Sequence, residues 1–440
     1  MRGFRFVSLL AAAAFAHDAC GQDLTPRAAP QQRDVILENA TLHPVALPPI
    51  EGGALWFRAG RIHAIQRGRI EVPAGAASEP ERIDLRGRHV YPGLIGAVSQ
   101  VGLIEIDQVR ATVDTAETGS FTPEVRALVA VNPDSTVLPV TRSNGVLASG
   151  VFPLGGVVPG RASVIQLEGW TWEEMRVADD AGLVVNWPGV RPPPRFSWAL
   201  DQRRVEDEEG RIRESLRNLD EAFDSAQAYL AARAADPRLP VDVRKEAYGP
   251  TLRGAKPLFV RAQEVEQIQS AVAFAVRRGF RLVLVGARDA GRCLDLLRRH
   301  EVAVILEGTH VMPPRRDADY DEIFRLPAAL EAAGIRWCLA SGEEFYNERN
   351  LPYQAATAVA FGLSKEAALR AVTLSAAELL GVADRLGSLE AGKDATLIVT
   401  NGDPLEYATR IEHAWIAGRK LDLRNKQTEL ARRYRERYRK

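Results

Sequence analysis

The middle of the chain repeats a strand-then-helix unit, and that repeat limits the fold more than any other feature. Apolar runs at residues 258–260, 282–285, 302–306 and 337–340 have the length and Val/Ile/Leu content of strands buried on both faces. Helical patterns follow at residues 264–278, 290–300, 326–333 and 365–372. Such repetition points to a parallel α/β fold, with a (β/α)8 barrel as first choice. Ser375 and Glu378 read as a capping box for a short helix that Gly381 ends. Residues 208–235 read as a longer charged helix on the outside.

Shorter β-type runs flank this region, at residues 35–37, 54–57, 61–65 and 82–85 before it and 394–399 and 413–417 after it. Two strand-rich flanks of this kind can join in one sheet domain. At the start, Arg2 and Arg5 precede an apolar stretch over residues 6–16 that ends in Ala14-Phe15-Ala16, the layout of a secretory signal. The expected organisation is a signal peptide over 1–21, a linker over 22–33 and a β-sandwich in two parts, 34–89 and 387–424. A barrel over 90–386 separates those parts, and a basic tail spans 425–440. Export to the periplasm or the extracellular space follows. Lipid anchoring at Cys20 is disfavoured, because His17-Asp18-Ala19 is a poor approach to a lipoprotein cut. Cys293 and Cys338 sit in apolar patterns and read as buried free thiols. The chain has 57 basic and 57 acidic residues, which argues against a nucleic-acid partner. No internal apolar run approaches the ~20 residues of a transmembrane span.

Two stretches carry a family resemblance. His89-Val90-Tyr91-Pro92-Gly93-Leu94-Ile95 resembles the entry to the first barrel strand of the amidohydrolase superfamily. Gly387-Ser388-Leu389-Glu390-Ala391-Gly392-Lys393-Asp394-Ala395 resembles the segment that returns the chain to that family's small β-sandwich. Residues 362–384 look like its final barrel helices, and the likeness is nearest to the imidazolonepropionase-like branch. It implies a TIM-like (β/α)8 barrel with a composite β-sandwich, and hydrolysis of C–N bonds in cyclic amides or peptide-like substrates. It also implies zinc or another divalent metal, which acidifies a bound water and polarises the carbonyl under attack. In the family pattern a His-x-His pair closes the first strand, further His residues end two middle strands, and an Asp ends the last.

The sequence departs at those places. Val98 and Gln100 stand where the His pair is expected, Arg261 and Gly286 where the middle histidines are expected. Ser341-Gly342-Glu343-Glu344 follows the last strand without an Asp at the matching place. Of the seven histidines, only His310 closely follows a barrel strand. The reading is therefore a catalytically degenerate member without metal or other cofactor. It would bind a small-molecule or peptide-like ligand and form a homodimer or a heterodimer with an active relative. Two alternatives stay open: an active hydrolase with an altered or single-metal site, and a non-catalytic scaffold.

Gln100, Arg261 and Glu307 are the binding candidates; His310, Glu343 and Glu344 are the weak catalytic ones. A guanidinium cannot ligate a cation and stays charged, so Arg261 is expected to pair with Glu343 or Glu344 across the barrel mouth. Neighbouring strand residues face opposite ways, so at most one of those two glutamates points inward. Residues 155–161 are Gly-rich but lack the Lys-Ser/Thr ending of a phosphate loop and read as a turn. Ser135 lacks a nucleophile elbow and reads as a turn or cap. Trp170 and Trp172 read as packing residues. The basic tail reads as a solvated helix, with contact to an anionic surface or an acidic partner as the other reading.

Overall fold

A computed structural model describes residues 26–72, 79–190, 202–313, 315–342 and 345–439, and for 202–208 the backbone alone. The expected signal peptide, Cys20 and the first part of the expected linker lie outside these residues. Strands β1 (Val35–Leu42), β2 (Ile50–Arg58), β3 (Arg61–Arg67), β4 (Glu81–Asp84) and β5 (His89–Pro92) build the first sheet from the N-terminal side. β1 pairs in parallel with β4 through residues 35–38 and with β5 through Thr41 and Leu42. Alternation along β1 sends Val35 and Leu37 to one face, with Phe57, and Ile36 to the other, with Trp56.

The chain then enters a second sheet. Its strands are β6 (Leu94–Ser99), β7 (Val146–Val151), β8 (Gly160–Gln166), β9 (Arg176–Asn186), β10 (Leu258–Ala262), β11 (Leu282–Gly286), β12 (Ala303–Glu307) and β13 (Trp337–Ala340). They lie side by side in chain order, and β13 comes back against β6, so the sheet is a nearly closed eight-stranded barrel. β14 (Leu397–Thr400), β15 (Ile411–Ile416) and β16 (Arg419–Lys420) then return to the first sheet, where β14 docks antiparallel on β5. The flanks thus form one composite sheet domain, as the sequence led us to expect.

One strand breaks the uniform repeat. β8 runs antiparallel to both β7 and β9, while the other neighbouring pairs are parallel. A parallel connection needs a crossover of about a dozen residues or more, and only residues 152–159 separate β7 from β8. The helix between β8 and β9 is the four-residue Trp172–Met175. Chain length alone forces the hairpin.

Alternation on the later strands sets up the barrel mouth. On β10, Leu258, Val260 and Ala262 join the core under the helices, whereas Phe259 packs inside the barrel. Arg261 follows Phe259 at the next inward position. On β12, Ala303 and Ile305 are interior, and Glu307 follows them. Helix Val265–Arg278 is held by a capping box between Glu264 and Gln267 and closed by left-handed Gly279. The long helix Gln202–Ala235 buries Leu219, Phe223 and Ala226, with the Phe223 ring edge-on to Phe274 at 5.4 Å.

Two local expectations fail. Helix Leu374–Leu379 begins at Thr373 with no side-chain cap, so Ser375 and Glu378 make no capping box; Thr373 instead donates to the Leu369 carbonyl of the preceding helix. Gly381 does end that helix, in the left-handed region. Trp170 is 68% exposed rather than packed, on a turn after Gly169, with the Arg27 guanidinium over its ring. Trp172 does pack against the core.

Cys293 and Cys338 are buried free thiols. Burial drives the Cys338 thiol far above the ordinary range. The native chain is therefore expected to leave Cys338 unmodified by iodoacetamide until denaturant is added, as peptide mass spectrometry would read it.

Candidate functional site

The C-terminal ends of parallel strands are where such barrels carry function. Gln100, just past β6, is 3% exposed, and Val98 is buried in the barrel interior. Arg261 lies at the end of β10, with its guanidinium over the Phe152 ring. Its Nη1 donates to the Pro153 carbonyl at 3.3 Å, and its Nε stands 3.7 Å from a Glu307 oxygen. The other Glu307 oxygen accepts from Gln263 at 3.3 Å. Arg261 and Glu307, separate candidates in the sequence, thus form one ion pair inside the mouth. Glu343 and Glu344 lie outside the described residues.

His310 is held differently. Gln354 is buried beside the mouth and accepts from the backbone N–H groups of Thr309 and His310, while its amide donates to the Ser341 carbonyl at 2.9 Å. This clamp ties the loop after β12 to the end of β13. The His310 ring bonds to Thr357 at 2.7 Å, and partial covering holds its pKa below the ordinary histidine value. Its backbone is placed by the clamp, and its ring engages the helix Leu351–Ala360.

The most deeply buried carboxyl at this end of the barrel is one that sequence reasoning missed. Glu348 lies in the six-residue 3-10 segment Phe345–Asn350 and is wholly buried. It reaches the seam where β13 meets β6. Its Oε2 accepts from the Ser341 hydroxyl at 2.5 Å, and a Cβ on Gly96 would stand only 1.5 Å from its Oε1. Burial raises its pKa to about 7, against the opposing pull of the Ser341 and Ser99 hydroxyls. No local signal marks it: a glutamate in the polar run 343–350 looks solvated, and only the seam explains its burial.

The fold agrees with known proteins. A model of the amidohydrolase family matches residues 272–425. A curated relative, the amidohydrolase tasK of Hapsidospora irregularis, is 26% identical over 394 residues. That match takes in 80% of this chain, and the chain spans 39% of that protein's length. A crystal structure of an amidohydrolase from Thermotoga maritima superposes with a TM-score of 0.77 at 25% identity, over 89% of this chain and all of that one. These matches support membership of the amidohydrolase superfamily. A Xaa-Pro dipeptidase with bound methionine in its active site shares the fold, with a TM-score of 0.52 at 14% identity over 88% of this chain and 100% of the dipeptidase.

Amidohydrolases commonly hold divalent metal at this end of the barrel, so the donor set can be tested against that need. Zinc and similar ions take imidazole, carboxylate or thiolate ligands. Val98 offers no donor, Gly286 has no side chain, Gln100 is neutral and Arg261 is cationic. The residue after β13 is Ser341, whose hydroxyl is engaged by Glu348. Among the described residues, no three His, Cys, Asp or Glu side chains converge as a metal site. Among the described residues, Glu307 is the one carboxylate at these strand ends, and with the Arg261 cation beside it the set does not fit a divalent ion.

Proposed function

We propose that this amidohydrolase binds an amide- or peptide-like ligand at its barrel mouth without metal-dependent hydrolysis. The observation that carries the reading is the chemistry of the strand ends, where Val98, Gln100, Arg261, Gly286 and Ser341 replace donors with apolar, neutral or cationic groups. Arg261 would supply a fixed positive charge in place of the ion. Its guanidinium, balanced by Glu307, can donate to an amide carbonyl or a carboxylate, and the Gln263 and Gln100 amides can complete the recognition. A dipeptidase with the same fold supports a peptide-like ligand class.

The test is incubation of the purified chain with panels of dipeptides and cyclic amides, with and without added zinc. A ligand-induced rise in melting temperature without product formation is expected. Zinc-dependent turnover that His310→Ala abolishes would replace this reading with a single-metal hydrolase. Arg2, Arg5 and the apolar run after them support export, for which N-terminal sequencing of the mature chain from the periplasm is the check. We assign the ligand-bound chain to a dimer, with itself or with an active relative; a monomer by sedimentation equilibrium in the presence of ligand would remove the self-paired form.

A further inference from the structure

The helix Lys426–Tyr438 has no part in the barrel or its mouth, and its side chains are arranged on a strict pattern. A capping box at Asn425 starts it, and the Asn425 amide bonds to Ser143 at 3.0 Å, so its first turn is fixed to the barrel domain. None of its residues is buried. With about 3.6 residues per turn, Leu430, Tyr434 and Tyr438 form one stripe, exposed by 40%, 54% and 71%. The two tyrosine rings lie nearly parallel, 11° apart in plane. Arg433 and Arg437 fall along one border of the stripe and Arg435 along the other. Both acids, Glu429 and Glu436, fall on the opposite face, where Arg432 pairs with them. Glu429 is partly covered, while Glu436 and Arg432 on the same face remain exposed.

We infer that this helix docks the protein on an anionic phospholipid surface. Charge complementarity selects that occupant. The whole chain has equal numbers of basic and acidic residues, yet this helix carries five basic and two acidic ones, with the acids on the face opposite the tyrosine stripe. A second copy of the helix is excluded as the occupant, because the arginine borders would repel each other. Tyrosine rings suit the headgroup layer, where one end of the ring is apolar and the other wet. Arginine stems can lie along the apolar boundary while their heads reach phosphates. Single-stranded nucleic acid also stacks on tyrosines between basic residues, but it gives no reason for an apolar Leu430 at the head of the stripe.

Co-sedimentation of the full chain with vesicles tests this. Binding is expected to vesicles of phosphatidylcholine with phosphatidylglycerol, not to phosphatidylcholine alone, and is expected to weaken with salt. The variant Arg433→Gln/Arg435→Gln/Arg437→Gln is expected to lower the partition coefficient by about a hundredfold, at about fivefold per charge. Tyr434→Ser/Tyr438→Ser is expected to lower it severalfold with an unchanged salt slope. All these positions are exposed, so circular dichroism and melting temperature should match the parent. Equal affinity for both vesicle types, no affinity for the anionic ones, or unchanged binding by the arginine variant overturns the inference. So does tighter binding to a single-stranded oligonucleotide or to polyglutamate than to the vesicles.

Discussion

Replacing Gly96 by alanine is expected to cost about 1–3 kcal/mol of stability, the range of overpacking in a rigid core. The added Cβ would sit 1.5 Å from the Glu348 Oε1 and 3.2 Å from the Ser149 hydroxyl oxygen. Gly96 does not use left-handed backbone, so the cost comes from space alone. A flexible surface glutamate would swing aside. Glu348 cannot do so cheaply, because it is wholly buried and tied to Ser341. Urea denaturation of Gly96→Ala, Glu348→Ala and the double variant separates these effects. The alanine at position 96 should cost at least about 1 kcal/mol less once the carboxyl is gone, the signature of residues in contact. Additive effects would show that Glu348 does not fill the space over Gly96.

Glu348→Gln is expected to stabilise the protein in alkaline solution relative to the parent. The folded pKa of Glu348 is about 7 and its ordinary value 4.5. Between those values the folded state holds a proton that the unfolded chain releases, so this group's contribution is full below pH 4.5 and is lost as pH rises through about 7. Glutamine keeps the neutral shape at every pH. The stability difference, variant minus parent, should therefore rise by roughly 2–3 kcal/mol from pH 5 to pH 8. His43 acts in the opposite sense: burial, then the neighbouring His89, lowers its pKa to about 4, so its contribution is present above about 6.5 and is lost on acidification. The parent's own profile mixes these with other shifted groups, His310 and His413 among them; the difference between parent and Glu348→Gln isolates one. A pH-independent difference would mean that the Glu348 carboxyl is ionised in the folded protein and held by its hydroxyl partners.

The later barrel strands are legible in the sequence because burial on both faces leaves continuous apolar runs, as at 282–285 and 302–306. The reversed β8 departs from the parallel repeat expected of the sequence, and chain length explains it once the strand bounds are known: eight residues from 152 to 159 cannot carry a crossover. Arg261 and Glu307 are found by their place at strand ends. Their pairing needs the inward parity of Phe259 and Ile305, which places both side chains in the same lumen. Glu348 is invisible, because its burial depends on a seam between the strands Leu94–Ser99 and Trp337–Ala340, far apart in the chain, and local pattern carries no such contact. Trp170 shows the reverse error, an apolar residue left in solvent because its turn points away from the core.

With Val98, Gln100, Arg261, Gly286 and Ser341 at its strand ends, this barrel is expected not to retain a divalent ion. Elemental analysis of the purified chain, after growth in zinc-supplemented medium and again after dialysis against zinc and buffer, tests it most directly. Far less than one metal per chain is expected in both samples, with an unchanged melting temperature. One retained zinc per chain, lost together with thermal stability on chelation, would contradict the account.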